Sequence, residues 1–402
     1  MKRTLIVLAA SLVAALALPA AAQKKYDAGA TDGEIKIGNT NPYSGPASAY
    51  GAIGKSIAAY FRMVNDRGGV NKRKINFITY DDSYSPPKTV EMVRKLVEQD
   101  EVLFVFQSLG TPSNTAIQKY LNAKKVPQLF VATGASKWND PKGNPWTMGW
   151  QPSYQTEARI YAKHILQTKP NAKIAVLYQN DDYGKDYLKG FEDGLGAQGQ
   201  KMIVARASYE VSEPTVDSQI VQLKSSGADV FFNITTPKFA AQAIRAAYDT
   251  GWKPTHYVNN VSNSVGSVLT PAGLDKAVGI ISSEYLKDPT DKRWENDPAM
   301  KEWREFMAKY NPDADLKDRS NVYGYAVAAT LEQVLKQAGD TLTRENIMKQ
   351  AASLKRFRVE TLLPGVTMST SPNDFAPLEA LQLERFNGKQ WELFGEMIST
   401  EQ

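Results

Sequence analysis

Residues 34–82 have the sequence EIKIGNTNPYSGPASAYGAIGKSIAAYFRMVNDRGGVNKRKINFITYDD. The short apolar runs at residues 35–38 and 75–80 each predict a β-strand. Between them, Ile53, Ile57 and Val64 share one face of a predicted helix, which ends at Gly68-Gly69. Two strands joined by a helix form a parallel βαβ unit, so this stretch predicts a parallel sheet covered by helices.

The same alternation of strands and helices continues along the chain. In the first half it predicts a helix from Pro86-Pro87, a strand at 102–106, a helix through Ile117 and Leu121 and a strand at 128–131. After Trp150 it predicts helices at 156–167, 185–195, 216–225 and 239–248, and strands at 173–178, 202–207, 229–234 and 256–258. We therefore expect two successive doubly wound α/β lobes. A helix at 325–337 and a strand at 381–386 are also predicted, but periodicity alone assigns them to neither sheet.

Composition excludes several classes of function. The 402 residues carry 48 Lys and Arg against 43 Asp and Glu, a net charge of +5 that is too small for a nucleic-acid-binding surface. With no cysteine, thiol catalysis, iron–sulfur clusters, disulfides and cysteine-based zinc sites are excluded. His164 and His256 are the two histidines, which leaves little for metal binding. We expect no cofactor, no metal site and no nucleic-acid partner.

The N-terminus has the pattern of a secretory signal peptide. Lys2 and Arg3 precede an apolar run at residues 5–18, and Ala20-Ala21-Ala22 supplies small residues for cleavage. We expect residues 1–22 to be removed during export. No later apolar stretch approaches the ~18 residues of a membrane-spanning helix, so we expect no stable insertion in a membrane.

Two glycine patterns resemble nucleotide-binding motifs but lie in the wrong context. Residues 49–56, AYGAIGKS, fit a relaxed phosphate loop, yet such a loop joins a strand directly to a helix and these residues already enter one. Residues 194–199, GLGAQG, fit the dinucleotide fingerprint, yet a predicted helix precedes them and a strand follows. We interpret the second pattern as the end of a helix.

Paired aspartates follow two predicted strands, at Asp81-Asp82 and Asp181-Asp182. Paired carboxylates at strand ends are typical of catalytic crevices, so a secreted hydrolase using Asp82 or Asp182 is one alternative. Aspartates in these positions also cap helices and accept hydrogen bonds from turn amides, which is the interpretation we favour. The chain contains neither a GxSxG nor an HExxH motif.

An ordered series of short motifs resembles the Leu/Ile/Val-binding type of periplasmic substrate-binding protein. The motifs are Ile35-Lys36-Ile37-Gly38, Tyr43-Ser44-Gly45-Pro46, the run NDRGGVN at 65–71, Tyr80-Asp81-Asp82, Lys95-Leu96-Val97, Val126-Pro127 and the run NDDYG at 180–184. The resemblance implies a type I fold, in which two doubly wound α/β lobes are joined by three crossovers. It also implies residues 23–150 plus about 286–362 for lobe 1, and 151–285 plus about 363–402 for lobe 2.

In function, the resemblance implies a monomeric periplasmic protein without catalysis. It would capture a small ligand in the cleft between the lobes by hinge closure and deliver it to the membrane subunits of an ABC permease. A ligand-sensing regulator of the same fold is a further alternative.

The resemblance also implies which residues bind the ligand. Its carboxylate-binding loops correspond to Gly110-Thr111 and Thr133-Gly134-Ala135, where helix amides and hydroxyls can hold an anion. Tyr50 and Tyr183 correspond to aromatics that cover the ligand from the two lobes. The complete predicted ligand-binding set is Tyr50, Gly110, Thr111, Thr133, Gly134, Ala135, Trp150, Tyr183, Thr236 and Val261.

One loop departs from the family pattern. The segment expected to supply an acid to the ammonium of an amino-acid ligand is Asn259-Asn260-Val261-Ser262-Asn263, which contains no acid. An ammonium costs several kcal/mol to bury without a carboxylate or several carbonyls. The sequence therefore predicts a carboxylate ligand without an α-ammonium, such as an aromatic acid, unless Asp182 or Glu284 supplies the counter-charge.

Overall fold

The βαβ unit predicted at residues 34–82 is present and belongs to the first of two large sheets. The computed structural model describes residues 24–399, so the predicted signal peptide lies outside the described residues. The first elements are β1 (Lys25–Tyr26), β2 (Glu34–Asn41), α1 (Gly51–Asp66), β3 (Lys74–Asp81), α2 (Pro86–Glu98), β4 (Phe104–Phe106), α3 (Thr111–Lys124), β5 (Gln128–Val131) and β6 (Thr147–Gly149). Strands β2 to β6 form a five-stranded parallel sheet in the order β3-β2-β4-β5-β6, whereas β1 pairs outside it with residues 341–342.

Helix α1 forms and ends as its sequence predicts. Its apolar face is buried, with Ile57 and Phe61 at most 1% exposed. Gly68 and Gly69 follow its end with φ angles of 103° and 81°, a region of backbone conformation that glycine adopts at no steric cost. The phosphate-loop pattern at 49–56 lies within the turn before α1 and its first residues, so it does not join a strand to a helix.

The second sheet begins after Trp150 with the same alternation. Its elements are α4 (Tyr154–Thr168), β7 (Ile174–Gln179), α5 (Asp182–Gly199), β8 (Ile203–Tyr209), α6 (Asp217–Ser225), β9 (Val230–Ile234), α7 (Pro237–Asp249), β10 (Thr255–Val258), α8 (Thr270–Ala272) and β11 (Ile281–Glu284). These strands pair in parallel in the order β8-β7-β9-β10-β11. Within α5, Gly196 has non-helical angles of 66° and 174°, so the glycine pattern at 194–199 interrupts a helix, as predicted.

The C-terminal elements, which periodicity could not assign, pack in part beside the first sheet and in part extend the second. They are α9 (Pro298–Tyr310), α10 (Ser320–Ala338), β12 (Thr341–Leu342), α11 (Arg344–Ala351), β13 (Ala380–Phe386) and β14 (Trp391–Ser399). Helix α10 packs on α1, where the Ser56 hydroxyl donates a 2.8 Å hydrogen bond to the Asn321 carbonyl. Strand β13 pairs antiparallel with β11, and β14 forms the edge of this seven-stranded sheet.

The chain passes between the sheets at three places. The first is the segment between β6 and α4. The other two lie side by side, because Lys287 N–H donates to Thr361 O at 2.8 Å and Leu363 N–H donates to Tyr285 O at 2.9 Å. Strand β6 was not predicted, since its three residues are too few to show a period. Within residues 24–399, no helix is both long and apolar enough to cross a membrane.

Candidate functional site

The carboxyl ends of the strands in both sheets face one cleft. In each sheet the strand order reverses beside the first strand, between β2 and β4 and between β7 and β9, and ligand crevices of α/β sheets form at such positions. The cleft holds about 540 Å³ of space between atoms, part of it open to solvent. Its lining residues are Tyr50, Ile53, Tyr84, Leu109, Gly110, Thr111, Ala132, Gln151, Tyr154, Tyr183, Thr236, Asn260, Val261, Tyr285, Arg319, Ser320 and Tyr323.

Six of the ten predicted ligand-binding residues line this cleft, namely Tyr50, Gly110, Thr111, Tyr183, Thr236 and Val261. Thr133, Gly134 and Ala135 line a neighbouring depression instead. Trp150 is fully buried behind the wall of the cleft. Its ring packs edge-on against those of Tyr285 and Tyr323, with ring centroids 6.1 and 5.0 Å apart. Its Nε1 donates to Thr330 Oγ1 at 3.2 Å, so Trp150 supports the wall from behind.

The predicted anion loop is built on the first turn of α3. Gly110, just before this helix, has a φ of 99°, and a Cβ at this position would lie 2.5 Å from Tyr84 Cε2. Glycine therefore permits both the turn and the close approach of Tyr84. The Thr111 hydroxyl is 2.6 Å from the Thr133 hydroxyl, which places the two predicted loops in direct contact. Pro112 has no N–H and Gly110 N–H already donates to Ala132 O at 3.3 Å, so the amides of this turn that favour an anion are those of residues 111 and 113.

Tyr154, which was outside the predicted set, packs against the second of these loops. A Cβ on Gly134 would lie 2.7 Å from the Tyr154 ring, so glycine permits this contact. Burial raises the pKa of Tyr154 to about 12, although the hydroxyls of Thr133 and Thr111 and the Gly134 backbone act in the opposite direction. The Tyr154 phenol is therefore neutral at physiological pH and lies beside both predicted loops.

The tyrosines give the cleft a polar but uncharged wall. Burial raises the pKa of Tyr50, Tyr84, Tyr183, Tyr285 and Tyr323 above the ordinary range. Four of these hydroxyls bond to protein: Tyr50 to Val261 O at 2.9 Å, Tyr323 to Gln151 Oε1 at 3.0 Å, Tyr183 to the Asn259 amide at 2.6 Å and Tyr84 to Gln179 Nε2 at 3.4 Å. Such rings present flat apolar faces with fixed polar edges.

Arg319 is the one ionisable side chain other than tyrosine among the described lining residues, and the sequence analysis did not find it. Its Nε and Nη2 donate to the two Glu284 carboxylate oxygens at 2.5 and 2.7 Å. Nη2 also donates to Asn260 Oδ1 at 3.1 Å. Arg319 precedes α10, in the segment that periodicity could not place. Its charge is paired within the protein, and so is that of Glu284.

The paired aspartates act as caps and turn acceptors, as predicted. Asp82 accepts from Tyr84 N–H at 3.0 Å and from the Thr89 hydroxyl at 2.7 Å. Asp181 caps α5 by accepting from the amides of residues 183 and 184. Asp182 forms a 2.6 Å ion pair with Lys137. Among the described residues, no Asp or Glu lines the cleft.

A buried glutamate supports the loop that departs from the family pattern. Glu157 accepts hydrogen bonds from Tyr187 at 2.6 Å, Tyr161 at 2.8 Å and Asn260 N–H at 2.7 Å. Burial raises the pKa of Glu157 to about 7. All three hydrogen bonds are to buried protein groups, so Glu157 fixes the position of the loop through Asn260. Within residues 24–399, no group of three potential metal-ligating His, Cys, Asp or Glu side chains was found.

Comparison with known proteins identifies the family. Residues 34–389 match the family described as periplasmic binding protein. The chain belongs to this family. It is 26% identical over 268 residues to Leu/Ile/Val-binding protein homolog 7 of Brucella abortus (strain 2308), and the match covers 64% of this chain but 63% of that relative's length. It is 25% identical over 309 residues to the leucine-specific-binding protein of Salmonella typhimurium, covering 76% and 79% of the two chains.

The fold comparison agrees with the family. A fatty acid ABC transporter substrate-binding protein from Thermomonospora curvata superposes with a TM-score of 0.79 at 20% identity, over 94% of this chain and 95% of that one. The predicted fold class, a type I periplasmic binding protein with two doubly wound α/β lobes, is confirmed. The predicted resemblance to Leu/Ile/Val-binding proteins is confirmed as well.

Proposed function

We propose that this protein is the solute-binding component of an ABC importer and captures a small carboxylate without an α-ammonium. The observation that carries this proposal is the lining of the cleft: six tyrosines, one arginine already paired with Glu284, and no acid among the described lining residues. The family relationship supports the transport role, with the periplasm as location and the permease membrane subunits as partners. The protein would act as a monomer that consists of the two lobes expected from the sequence.

The carboxylate would bind at the first turn of α3. There, the backbone amides of residues 111 and 113 and the Thr111 hydroxyl favour an anion, with Thr133 and Tyr154 beside them. Hydrogen bonds to a charged group contribute about 1.5–3 kcal/mol each, so this end supplies much of the affinity.

An α-ammonium has no suitable partner in the same cleft. The acids directly next to lining residues in the chain are Asp182, Glu284 and Asp318, and each is already bonded to a protein donor, as is Glu157 below the loop. Burying an ammonium without a carboxylate costs several kcal/mol. The named ligands of the relatives include leucine and a fatty acid, and the cleft chemistry supports the acid without an amine. The tyrosine faces favour a flat or aromatic body on that acid.

Capture would use hinge closure, the motion known for periplasmic binding proteins. Contacts that cross the cleft support this step: Tyr50 with Val261, Ser136 N–H with Asp186 at 2.9 Å, and Lys137 with Asp182. A ligand that adds contacts to both sides shifts the population towards this closed form.

The test is calorimetric titration of the mature protein, residues 23–402, with leucine, its deaminated analogue and benzoate. We expect an acid to bind and leucine to bind more weakly. Micromolar leucine binding, about 8 kcal/mol, with no response to either acid would overturn the ligand assignment. Recovery of the bound acid chemically unchanged after incubation distinguishes a binding protein from the hydrolase alternative.

A further inference from the structure

Tyr285 differs from the other tyrosines of the cleft. Within residues 24–399, it is the cleft tyrosine whose buried hydroxyl proton has no acceptor, because the Arg319 guanidinium beside it can only donate to the phenol oxygen. Tyr285 as a whole is 1% exposed. A phenol removed from water without a partner is unfavourable, whereas one that donates to a ligand oxygen recovers a hydrogen bond. This hydroxyl is therefore a free donor in the wall of the cleft.

Neighbouring groups fix the Tyr285 ring in place. The Trp150 ring packs against it at 6.1 Å, and the Arg319 guanidinium carbon lies 5.5 Å from its centroid. Its backbone carbonyl bonds to Leu363 at a crossover between the sheets. A side chain held in this way keeps its hydroxyl beside Arg319.

The charges around Tyr285 decide what kind of oxygen fits. Arg319 is neutralised by Glu284, and Asn263 bridges Glu284 and Glu384 at 3.2 and 2.8 Å. Burial and the nearby Glu284 carboxylate raise the pKa of Glu384, and burial raises that of Asp288 to about 6. A second ligand carboxylate would be repelled by the Glu284 carboxylate, the acid whose charge acts on the Tyr285 hydroxyl. A neutral oxygen avoids that repulsion and still accepts the hydroxyl proton.

We infer that Tyr285, beside the Arg319–Glu284 pair, forms a second subsite that receives a neutral oxygen of the ligand. This inference rests on the proposed function, because it assumes that the ligand carboxylate binds at Gly110 and Thr111. The ligand class is then an aromatic monocarboxylate with a phenolic hydroxyl or carbonyl oxygen remote from its carboxylate.

The experiment compares matched pairs of acids by calorimetry on the mature protein: benzoate with its hydroxylated forms, and cinnamate with its para-hydroxylated form. We expect at least one hydroxylated acid to bind about three- to ten-fold more tightly than its parent. In Tyr285→Phe this preference should disappear, so that the hydroxylated acid binds no more tightly than its parent. Tyr43→Phe is the control, because Tyr43 is not among the lining residues and its hydroxyl bonds to Thr79, and it should keep the preference.

The outcomes separate the two proposals. If parent acids bind but no hydroxylated form is preferred, or if Tyr285→Phe keeps the preference, the second subsite is wrong and the carboxylate assignment stands. If no acid binds while leucine does, the proposed ligand class fails and the subsite fails with it. Equal melting temperatures for Tyr285→Phe and the unmodified protein would exclude a folding defect as the cause of a lost preference.

Discussion

The hydroxyl of Tyr50 donates a 2.9 Å hydrogen bond to the carbonyl oxygen of Val261, a residue 211 positions further along the chain. Tyr50 follows β2 of the first sheet, and Val261 follows β10 of the second. The bond therefore joins the two walls of the cleft. Because it needs both walls in contact, it stabilises the closed arrangement relative to any open one.

Removal of this bond should weaken binding of every ligand equally. Tyr50→Phe retains the ring but loses the donor, and a neutral hydrogen bond contributes about 0.5–1.5 kcal/mol. We expect a loss in affinity of about 2- to 12-fold by calorimetry. Tyr43→Phe is the matched control, since its hydroxyl bonds to Thr79 away from the cleft. Losses that differ strongly among ligands would show that the Tyr50 hydroxyl contacts the ligand instead.

The two threonines of the anion loops should matter for affinity, and Thr133→Val should also lower stability because it removes the acceptor of the buried Trp138 Nε1–H at 3.2 Å. Thr111→Val and Thr133→Val each remove a hydroxyl from the 2.6 Å pair. Each substitution is expected to weaken binding of the carboxylate by about 1.5–3 kcal/mol, because it removes a hydroxyl that donates to a charged ligand group. The double variant should lose less than the sum, because neighbouring sites are not additive. Unchanged affinity in both single variants would place the anion elsewhere, and Thr168→Val on α4 serves as the control for valine substitution.

Replacement of Gly110 by alanine should destabilise the fold for two reasons that can be measured separately. Its φ of 99° is unfavourable for a residue with a Cβ, and that Cβ would also collide with Tyr84. Gly273 has similar backbone angles, φ 104° and ψ 114° against 99° and 137° for Gly110, and the atoms nearest to its Cβ position belong to flexible side chains, so Gly273→Ala measures mainly the backbone effect, about 1–3 kcal/mol. Gly110→Ala should destabilise the fold more than this in urea unfolding and also weaken ligand binding. Equal destabilisation in the two variants would mean that Tyr84 moves aside freely.

Glu157 should make stability fall as pH rises towards neutrality. Burial raises its folded-state pKa to about 7 from the ordinary 4.5, so between these values the folded state holds more protons than the unfolded state. Its contribution is fully present below pH 4.5 and is lost as pH rises through about 7. This pKa shift corresponds to a change of about 3 kcal/mol in the free energy of unfolding between low and high pH.

The measurement for Glu157 is urea unfolding at pH 5 and pH 8. Asp288, whose burial raises its pKa to about 6, changes stability in the same direction and must be separated from it. Glu157→Gln does not titrate and retains an acceptor for Asn260 N–H. We expect its stability to fall less between the two pH values than that of the unmodified protein. The same fall in both proteins would mean that Glu157 keeps its proton affinity unchanged on folding.

Much of the fold could be predicted because its cause is local. The helical face of Ile53, Ile57 and Val64 and the stop at Gly68-Gly69 depend on neighbouring residues only, and α1 forms there. Strand β5 has the predicted limits, 128–131, for the same reason. The three-residue strand β6 was missed, because a strand this short exists only through its pairing with β5.

The cleft residues that the sequence predicted correctly are those that directly follow the end of a strand. Tyr50, Thr111 and Tyr183 lie after β2, β4 and β7 or at the start of the next helix, and parallel sheets bring such positions to one edge. Trp150 also follows a strand, but its ring packs behind Tyr323 and does not face the cleft. The position of a residue in the sequence does not show whether its side chain points into the cleft or away from it.

The sequence by itself therefore determined the alternating elements, the two doubly wound sheets and the missing acid at residues 259–263, since periodicity and residue identity are local properties. Only the tertiary structure decided that β13 pairs with β11, that Arg319 meets Glu284 across 35 residues and that the Tyr285 hydroxyl proton has no acceptor in the wall of the cleft. These depend on how the chain returns between its two lobes. Contacts between distant segments are selected by packing and charge pairing across the whole fold, which no local pattern encodes.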